Sequence, residues 1–242
     1  MNESFSEKIA AVIPAYNEEN KIGKTVSRIP SEWINEILVI NDGSNDKTEK
    51  EAYEAGAIVL NQPQNLGVGA AIRRGIEYAI KEGYDIVVIM GGDNQDNPSE
   101  LGRILRPILY DGFDFVQGSR YMLGGNIVNV PLFRRVTTYL YSWLFKILTG
   151  YPITDGTNGF RAFRTSVFKN EDININQEWL NKYELEPYLL YKAIKLGFKV
   201  TEAPVTKSYP KEKKIGYTKM IPIVSWWSIL RPIIYLRFSI KR

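Results

Sequence analysis

Residues 88–98 read VIMGGDNQDNP, an apolar run that passes through two glycines and one carboxylate into a polar loop closed by proline. Two earlier stretches have the same form, VIPAYNEE at 12–19 and VINDGSNDKT at 39–48. Short apolar runs bounded by turn residues read as strands buried on both faces, and the sequence has them at 9–14, 36–40, 57–60 and 85–90. Between them, 18–28, 46–55 and 69–81 carry helical spacing, with Gly56 and Gly83 where helices stop. This β-α-β repetition predicts an α/β fold, a Rossmann-like, mostly parallel sheet with helices on both faces. Ligands of such a sheet bind in the crevice at the C-terminal ends of the strands. The polar ends of the three loops fall on that one edge, and together they make a site.

Composition bounds what the site can do. With 242 residues, of which 44% are hydrophobic, the chain can bury its own core. We expect one domain over 1–210 and an amphipathic C-terminal segment over 211–242. The formal charge of +4 suits anionic partners. There is no cysteine and no histidine, which excludes disulfides, thiolate zinc sites and the commonest proton shuttle near neutral pH. Any metal therefore sits on oxygen ligands. The opening MNESFSEKIA lacks the charged-then-apolar pattern of a signal peptide, so cytoplasmic chemistry is expected.

Each loop alone is a weak signal. The run Asn41, Asp42, Gly43, Ser44 suits a turn and a helix N-cap. NLGVGAAIRRGI at 65–76 invites a dinucleotide reading but fails it, because Ile72 occupies the third glycine position and no strand leads directly into Gly67. Their order is more informative. VIPAYNEE, VINDGSNDKT, NLGVGAAIRRGI, GGDNQDNP, GSRY, DGTNGFRAF and LGFKVTEAPV together resemble the family 2 glycosyltransferases of the GT-A fold, and within them the dolichol-phosphate mannose synthase type, over roughly 9–205.

The resemblance implies roles residue by residue. Pro14, Tyr16, Glu18, Asp42, Gly69, Gly92, Asp93, Gln95 and Lys219 would contact a nucleotide-sugar donor. Asp93 and Gln95 match the metal loop and would hold Mg2+ or Mn2+; the family usually has Asp-x-Asp-x-Gln there, and Gly91 replaces its first Asp, while Asp96 falls where the family often has His. A hard divalent ion keeps waters and accepts phosphate oxygens, so one carboxylate plus a diphosphate can still hold it. Arg120, either Arg134 or Arg135, Thr137 or Thr138, and Arg161 would contact a lipid phosphate, and Asp155 would lie beside the acceptor. The guanidinium fork suits phosphate oxygens. Catalytic roles fall by this resemblance to Asp93, Asp155 and Arg120.

The tail from Lys211 reads KEKKIGYTKMIPIVSWWSILRPIIYLRFSIKR. Its uncharged run, 220–230, is far shorter than the roughly 20 apolar residues of a spanning helix. Tryptophans beside Arg231, Arg237, Lys241 and Arg242, with Pro222 and Pro232 interrupting, read as a segment lying on an anionic membrane surface; packing on the domain or a homo-oligomer contact is the alternative. The expected activity is a metal-dependent, inverting transfer of a hexose from GDP-mannose or a UDP-sugar to a polyprenyl phosphate, peripheral on the cytoplasmic face of a membrane, with no nucleic-acid partner. Two other readings stand beside it. One is transfer to a saccharide hydroxyl, which needs a base such as Asp155, Glu184 or Glu186; the other is a sugar-nucleotide-binding protein without turnover.

Overall fold

The computed structural model describes residues 5–210, 219 and 224–241. In chain order the first half comprises β1 (Ile9–Ala15), α1 (Ile22–Ser27), β2 (Glu36–Asn41), α2 (Thr48–Glu54), β3 (Ile58–Asn61), α3 (Val68–Lys81), β4 (Ile86–Ile89) and α4 (Leu101–Asp111). The second half comprises β5 (Phe115–Ser119), β6 (Asn126–Val128), α5 (Leu132–Thr149), β7 (Arg161–Arg164), α6 (Leu185–Lys195), β8 (Val200–Pro204), β9 (Thr206–Ser208) and α7 (Val224–Arg237). A seven-stranded sheet runs β3-β2-β1-β4-β7-β5-β8, parallel throughout except that β7 is antiparallel to both its neighbours. β6 and β9 form a second, two-stranded parallel sheet.

Strand alternation explains why the predicted runs are apolar at every position. Ala10, Val12, Leu38, Ile40, Val87 and Ile89 face one core, shared with α3, α6 and α7. Ile9, Ala11, Ile13, Val39, Ile86 and Val88 face the other, shared with α1 and α4. Helices therefore cover both faces, as the repetition predicts. α3 approaches β1 so closely that a Cβ at Gly75 would stand 2.3 Å from Val12 Cγ1.

Two helices begin later than their sequence spacing suggests. Residues 17–21 form a turn instead of a first helical turn, with Asn17 and Asn20 at positive φ. Their amides go across to the next loop, Asn17 N–H to Ser44 Oγ and Glu18 N–H to Thr48 Oγ1. α2 begins at Thr48 because Asp46 Oδ1 takes both the backbone N–H and the hydroxyl of Thr48.

At the C-terminal end, Ile233 and Leu236 of α7 join the sheet core. Arg231 donates to Glu184, which also accepts from Ser228 Oγ. One face of α7 is thus part of the domain, while Val224, Trp227, Phe238 and Ile240 remain exposed. Among the described residues no helix is long and apolar enough to cross a membrane. The basic stretch beginning at Lys211, Pro222 and Arg242 lie outside the described residues.

Candidate active site

The C-terminal edge of β1, β2 and β4 opens into a cleft of about 490 Å³. Pro14, Tyr16, Glu18, Asp42, Gly91, Gly92, Asp93 and Gln95 line it from the sheet side. Asp42 is nearly buried and fully engaged: Oδ1 accepts from Gln62 Nε2 (2.7 Å) and Leu66 N–H (2.8 Å), and Oδ2 from Gly67 N–H (2.9 Å). Burial pushes its pKa up against those donors. Its visible work is to hold the loop that enters α3. Gly69, expected among the donor contacts, lies outside the cleft lining. It is glycine because a Cβ there would stand 2.0 Å from the Leu180 carbonyl oxygen.

Lys219 lines the cleft beside Tyr16 and Glu18. Its ammonium sits 5.4 Å from the Tyr16 ring centroid and donates to Glu18 Oε1 (2.5 Å) and to the Asn17 carbonyl (2.9 Å). Glu18 also holds Lys21 at 2.7 Å.

At the loop after β4, Asp93 Oδ1 accepts the Gln95 N–H at 3.1 Å. Burial raises the Asp93 pKa, as do the charges of Asp96 and Glu18, while Lys207 acts in the opposite direction. Asp96 is not a spare ligand: Oδ2 takes the Gly91 N–H (3.0 Å) and Oδ1 takes Lys207 Nζ (2.9 Å). A Cβ at Gly91 would stand 3.0 Å from Asp93 Oδ1 and 3.5 Å from Asp96 Oδ2, so this position faces both carboxylates. Among the described residues no cluster of three acidic groups could hold a metal by itself. One carboxylate and one amide fit a hard divalent ion when diphosphate oxygens complete the set.

The opposite wall carries the arginines. Arg120 sits at the end of β5 and makes a two-pronged pair with Asp155, Nε to Oδ2 at 2.6 Å and Nη2 to Oδ1 at 2.8 Å. The same Nη2 reaches Thr157 Oγ1 at 2.7 Å. Burial works against the Arg120 charge, but the adjacent Asp155 outweighs it and holds the pKa above its ordinary value. Asp155 is wholly buried and does not line the cleft; it lies behind Arg120 and orients it. Arg161 lines the cleft, yet it is buried, with its fork on the Asn158 and Glu186 carbonyls and its charge 3.3 Å from the Glu186 carboxylate. Burial lowers its pKa, partly offset by Glu186.

On α5 the helix phase separates the two candidate arginines. Arg134 lines the cleft over the Tyr209 ring, whereas Arg135 is exposed and outside it. Thr138, one turn on, also lines the cleft and bonds Tyr121 through its hydroxyl. Thr137 does not line it and spends its hydroxyl on the Phe133 carbonyl at 2.9 Å. The outward face of the same helix is apolar: Leu132, Phe133, Val136, Tyr139, Leu140, Trp143 and Ile147 are each at least half exposed.

Several lining residues carry no sequence signal of a role. Lys182 and Tyr183 come from the approach to α6, Trp226 from α7, and Lys207 from β9. Lys207 follows a strand-like stretch, and nothing in the chain's periodicity brings it back to the loop after β4.

The sequence matches the model of the family described as glycosyl transferase family 2 over residues 10–171. It is 31% identical to polyprenol monophosphomannose synthase of Mycolicibacterium smegmatis, over 89% of this chain and 82% of that one. It is 30% identical to a UDP-N-acetylglucosamine–dolichyl-phosphate N-acetylglucosaminyltransferase of Methanococcus voltae, over 83% and 86%. Its fold is similar to that of glucosyl-3-phosphoglycerate synthase from Mycobacterium tuberculosis, solved with Mn2+ and UDP-glucose. That structure is 20% identical with a TM-score of 0.72, covering 98% of this chain and 81% of that one.

Proposed function

The chain belongs to glycosyl transferase family 2, and on that premise we propose that this hexosyltransferase moves a hexose from a nucleotide-sugar donor to a polyprenyl phosphate. The observation that carries this reading is the position of Arg134 and Thr138. They line the cleft opposite the donor loops, on a helix whose outward face is apolar. A phosphate bound there leaves its hydrocarbon chain beside an apolar surface.

In the proposed reaction an acceptor phosphate oxygen attacks the anomeric carbon in line. The bond from that carbon to the donor's β-phosphate oxygen breaks, and its electron pair leaves with the nucleoside diphosphate. The anomeric configuration inverts. The acceptor is already ionised near neutral pH, its second pKa being about 6, so no general base is required. A divalent ion held by Asp93 and Gln95 with the donor diphosphate would offset charge on the leaving group. Tyr16, Glu18 and Lys219 would hold the nucleotide, Arg120 and Arg134 would orient the acceptor phosphate, and Asp155 would fix Arg120.

Transfer to a saccharide hydroxyl needs a free carboxylate base, and the three candidates are all engaged. Asp155 is paired with Arg120, Glu184 with Arg231, and Glu186 with Arg161. Binding at a membrane surface is part of the proposal, through the apolar face of α5, the exposed Trp227 of α7 and Phe238 just beyond it. The test is transfer of labelled sugar from GDP-mannose and from UDP-sugars to a short-chain polyprenyl phosphate, against the matching polyprenol. Transfer to the phosphate alone is expected. Equal acceptance of the neutral polyprenol would overturn the phosphate reading.

A further inference from the structure

The loop that presents Asp93 is tied to β9 at three points. Ser208 N–H donates to the Gln95 carbonyl (2.9 Å), Lys207 Nζ to Asp96 Oδ1 (2.9 Å), and Thr206 N–H to Glu100 Oε2 (2.6 Å). The first and last of these are neutral or peripheral stitches. The middle one brings an ammonium into the cleft wall beside Gly91, Asp93 and Gln95.

Charge at this wall is unusual for a site that must gather a cation. The position nearest Asp93 that could offer a second carboxylate is Gly91. The next carboxylate along, Asp96, is already neutralised by Lys207. The Lys207 side chain is only 13% exposed, so its ammonium is poorly screened. Among the described residues its ammonium makes one hydrogen bond, to Asp96 Oδ1, and an ammonium carries three donors. Among the described residues that line the cleft, six cationic side chains face four carboxylates, a balance that suits a diphosphate better than a bare metal ion.

We propose that Lys207 is a fixed cation of the donor site, an ammonium that binds the donor diphosphate and shares with the divalent ion the offsetting of its charge. This rests on the nucleotide-sugar reading of the cleft. Asp96 acts as the anchor: it consumes one donor of Lys207, aims the ammonium, and keeps Gly91 N–H in register. The consequence is that the protein retains a nucleoside diphosphate with metal removed, where a site built on two carboxylates would repel it.

The experiment measures binding of UDP and GDP to the intact chain by calorimetry, in EDTA and in excess Mn2+, for the parent, Lys207→Met, Lys207→Arg and Asp96→Asn. The better-bound nucleotide is expected to lose no more than roughly tenfold in affinity when Mn2+ is removed. Lys207→Met is expected to lose a further tenfold or more in EDTA, on the usual scale of a charge-assisted contact, and distinctly less in Mn2+. Lys207→Arg should recover most of the loss. Asp96→Asn, which keeps an acceptor oxygen but frees the ammonium from its counter-charge, should bind in EDTA at least as tightly as the parent. Parent binding that vanishes in EDTA overturns the proposal. So does a Lys207→Met loss of the same size with and without metal, or an Asp96→Asn loss equal to it, since either means that Lys207 only stakes the loop. Absence of any UDP or GDP binding in Mn2+ would instead overturn the nucleotide-sugar reading itself.

Discussion

Replacing Arg120 by alanine should unfold the protein at a markedly lower temperature before it says anything about the acceptor. The pair with Asp155 is buried on both sides, with side-chain exposures of 6% and 0%. Removing one partner of such a pair leaves the other as an uncompensated charge, at about 3–5 kcal/mol. Asp155 would not be wholly abandoned. The Arg120 backbone N–H stays at 3.1 Å from Oδ2, and the Thr157 hydroxyl at 3.1 Å from Oδ1. The loss therefore belongs at the lower end, about 3 kcal/mol. At roughly 2–4 °C per kcal/mol for a chain of this size, the midpoint should fall by about 6–12 °C. Thermal unfolding followed by circular dichroism, without ligand and at neutral pH, reads this directly. Adding Asp155→Asn to Arg120→Ala removes the orphan charge and should return part of the loss. Arg120→Lys should fall between, since an ammonium keeps the charge but not the two-pronged geometry. A midpoint for Arg120→Ala within about 2 °C of the parent would refute the reasoning, because the pair would then contribute almost nothing to the fold.

The acceptor is better probed on α5, where the two neighbouring arginines form an internal control. Arg134→Ala should raise the polyprenyl phosphate requirement roughly ten- to a hundredfold with donor binding unchanged, and Arg135→Ala should stay within about twofold of the parent; steady-state transfer assays separate them. Gly91→Asp should tighten Mn2+ in the absence of nucleotide by about tenfold or more, since its side chain would face the Asp93 and Asp96 carboxylates. Its metal-free form should be less stable through like-charge repulsion, and equal Mn2+ affinity in titrations would count against Gly91 facing the ion. Leu140→Glu with Trp143→Glu should cut co-sedimentation with anionic liposomes at least several-fold, each buried side chain supplying about 1.5–3 kcal/mol to surface binding, while leaving UDP and GDP binding intact. Unchanged sedimentation accompanied by loss of a dimer in ultracentrifugation would assign the stripe to contact between copies.

The half of the cleft at the ends of β1, β2 and β4 was legible because its physics is local. Buried parallel strands must be apolar on both faces, so Val12, Ile13, Val39, Ile40, Val88 and Ile89 announce themselves, and whatever follows each must emerge at the same edge. Pro14, Tyr16, Glu18, Asp42, Asp93 and Gln95 come together for that reason alone. The opposite wall depends on contacts that sequence order does not encode. Arg120 and Asp155 are 35 residues apart and meet only because β7 inserts antiparallel between β4 and β5. On α5 the usual pattern is inverted. The richer apolar stripe points outward, and the inward face mixes Thr138, Ser142 and Thr149 with Tyr141 and Phe145. Reading hydrophobicity as burial there gives the wrong phase, so which of Arg134 and Arg135 lines the cleft had to wait for the structure.

The same distinction explains why Lys207 escaped notice and why it matters. β9 has three residues, paired in parallel with β6 and bridged at Lys207 to Asp96, so it lacks the length and alternation that would mark it as a strand. Yet this short segment reaches both walls of the cleft. Its Lys207 and Ser208 hold the loop of Asp93 and Gln95, and the next residue, Tyr209, lies under Arg134. A shift of β9 by one residue would flip Lys207 out of the wall and move Tyr209 from beneath Arg134 together. The two walls of the cleft are therefore linked through a backbone element of a few residues. A substitution that weakens β9, at Thr206 where its N–H and hydroxyl both meet Glu100, should for that reason impair nucleotide binding and acceptor binding at once. Arg134→Ala, by contrast, touches only the second.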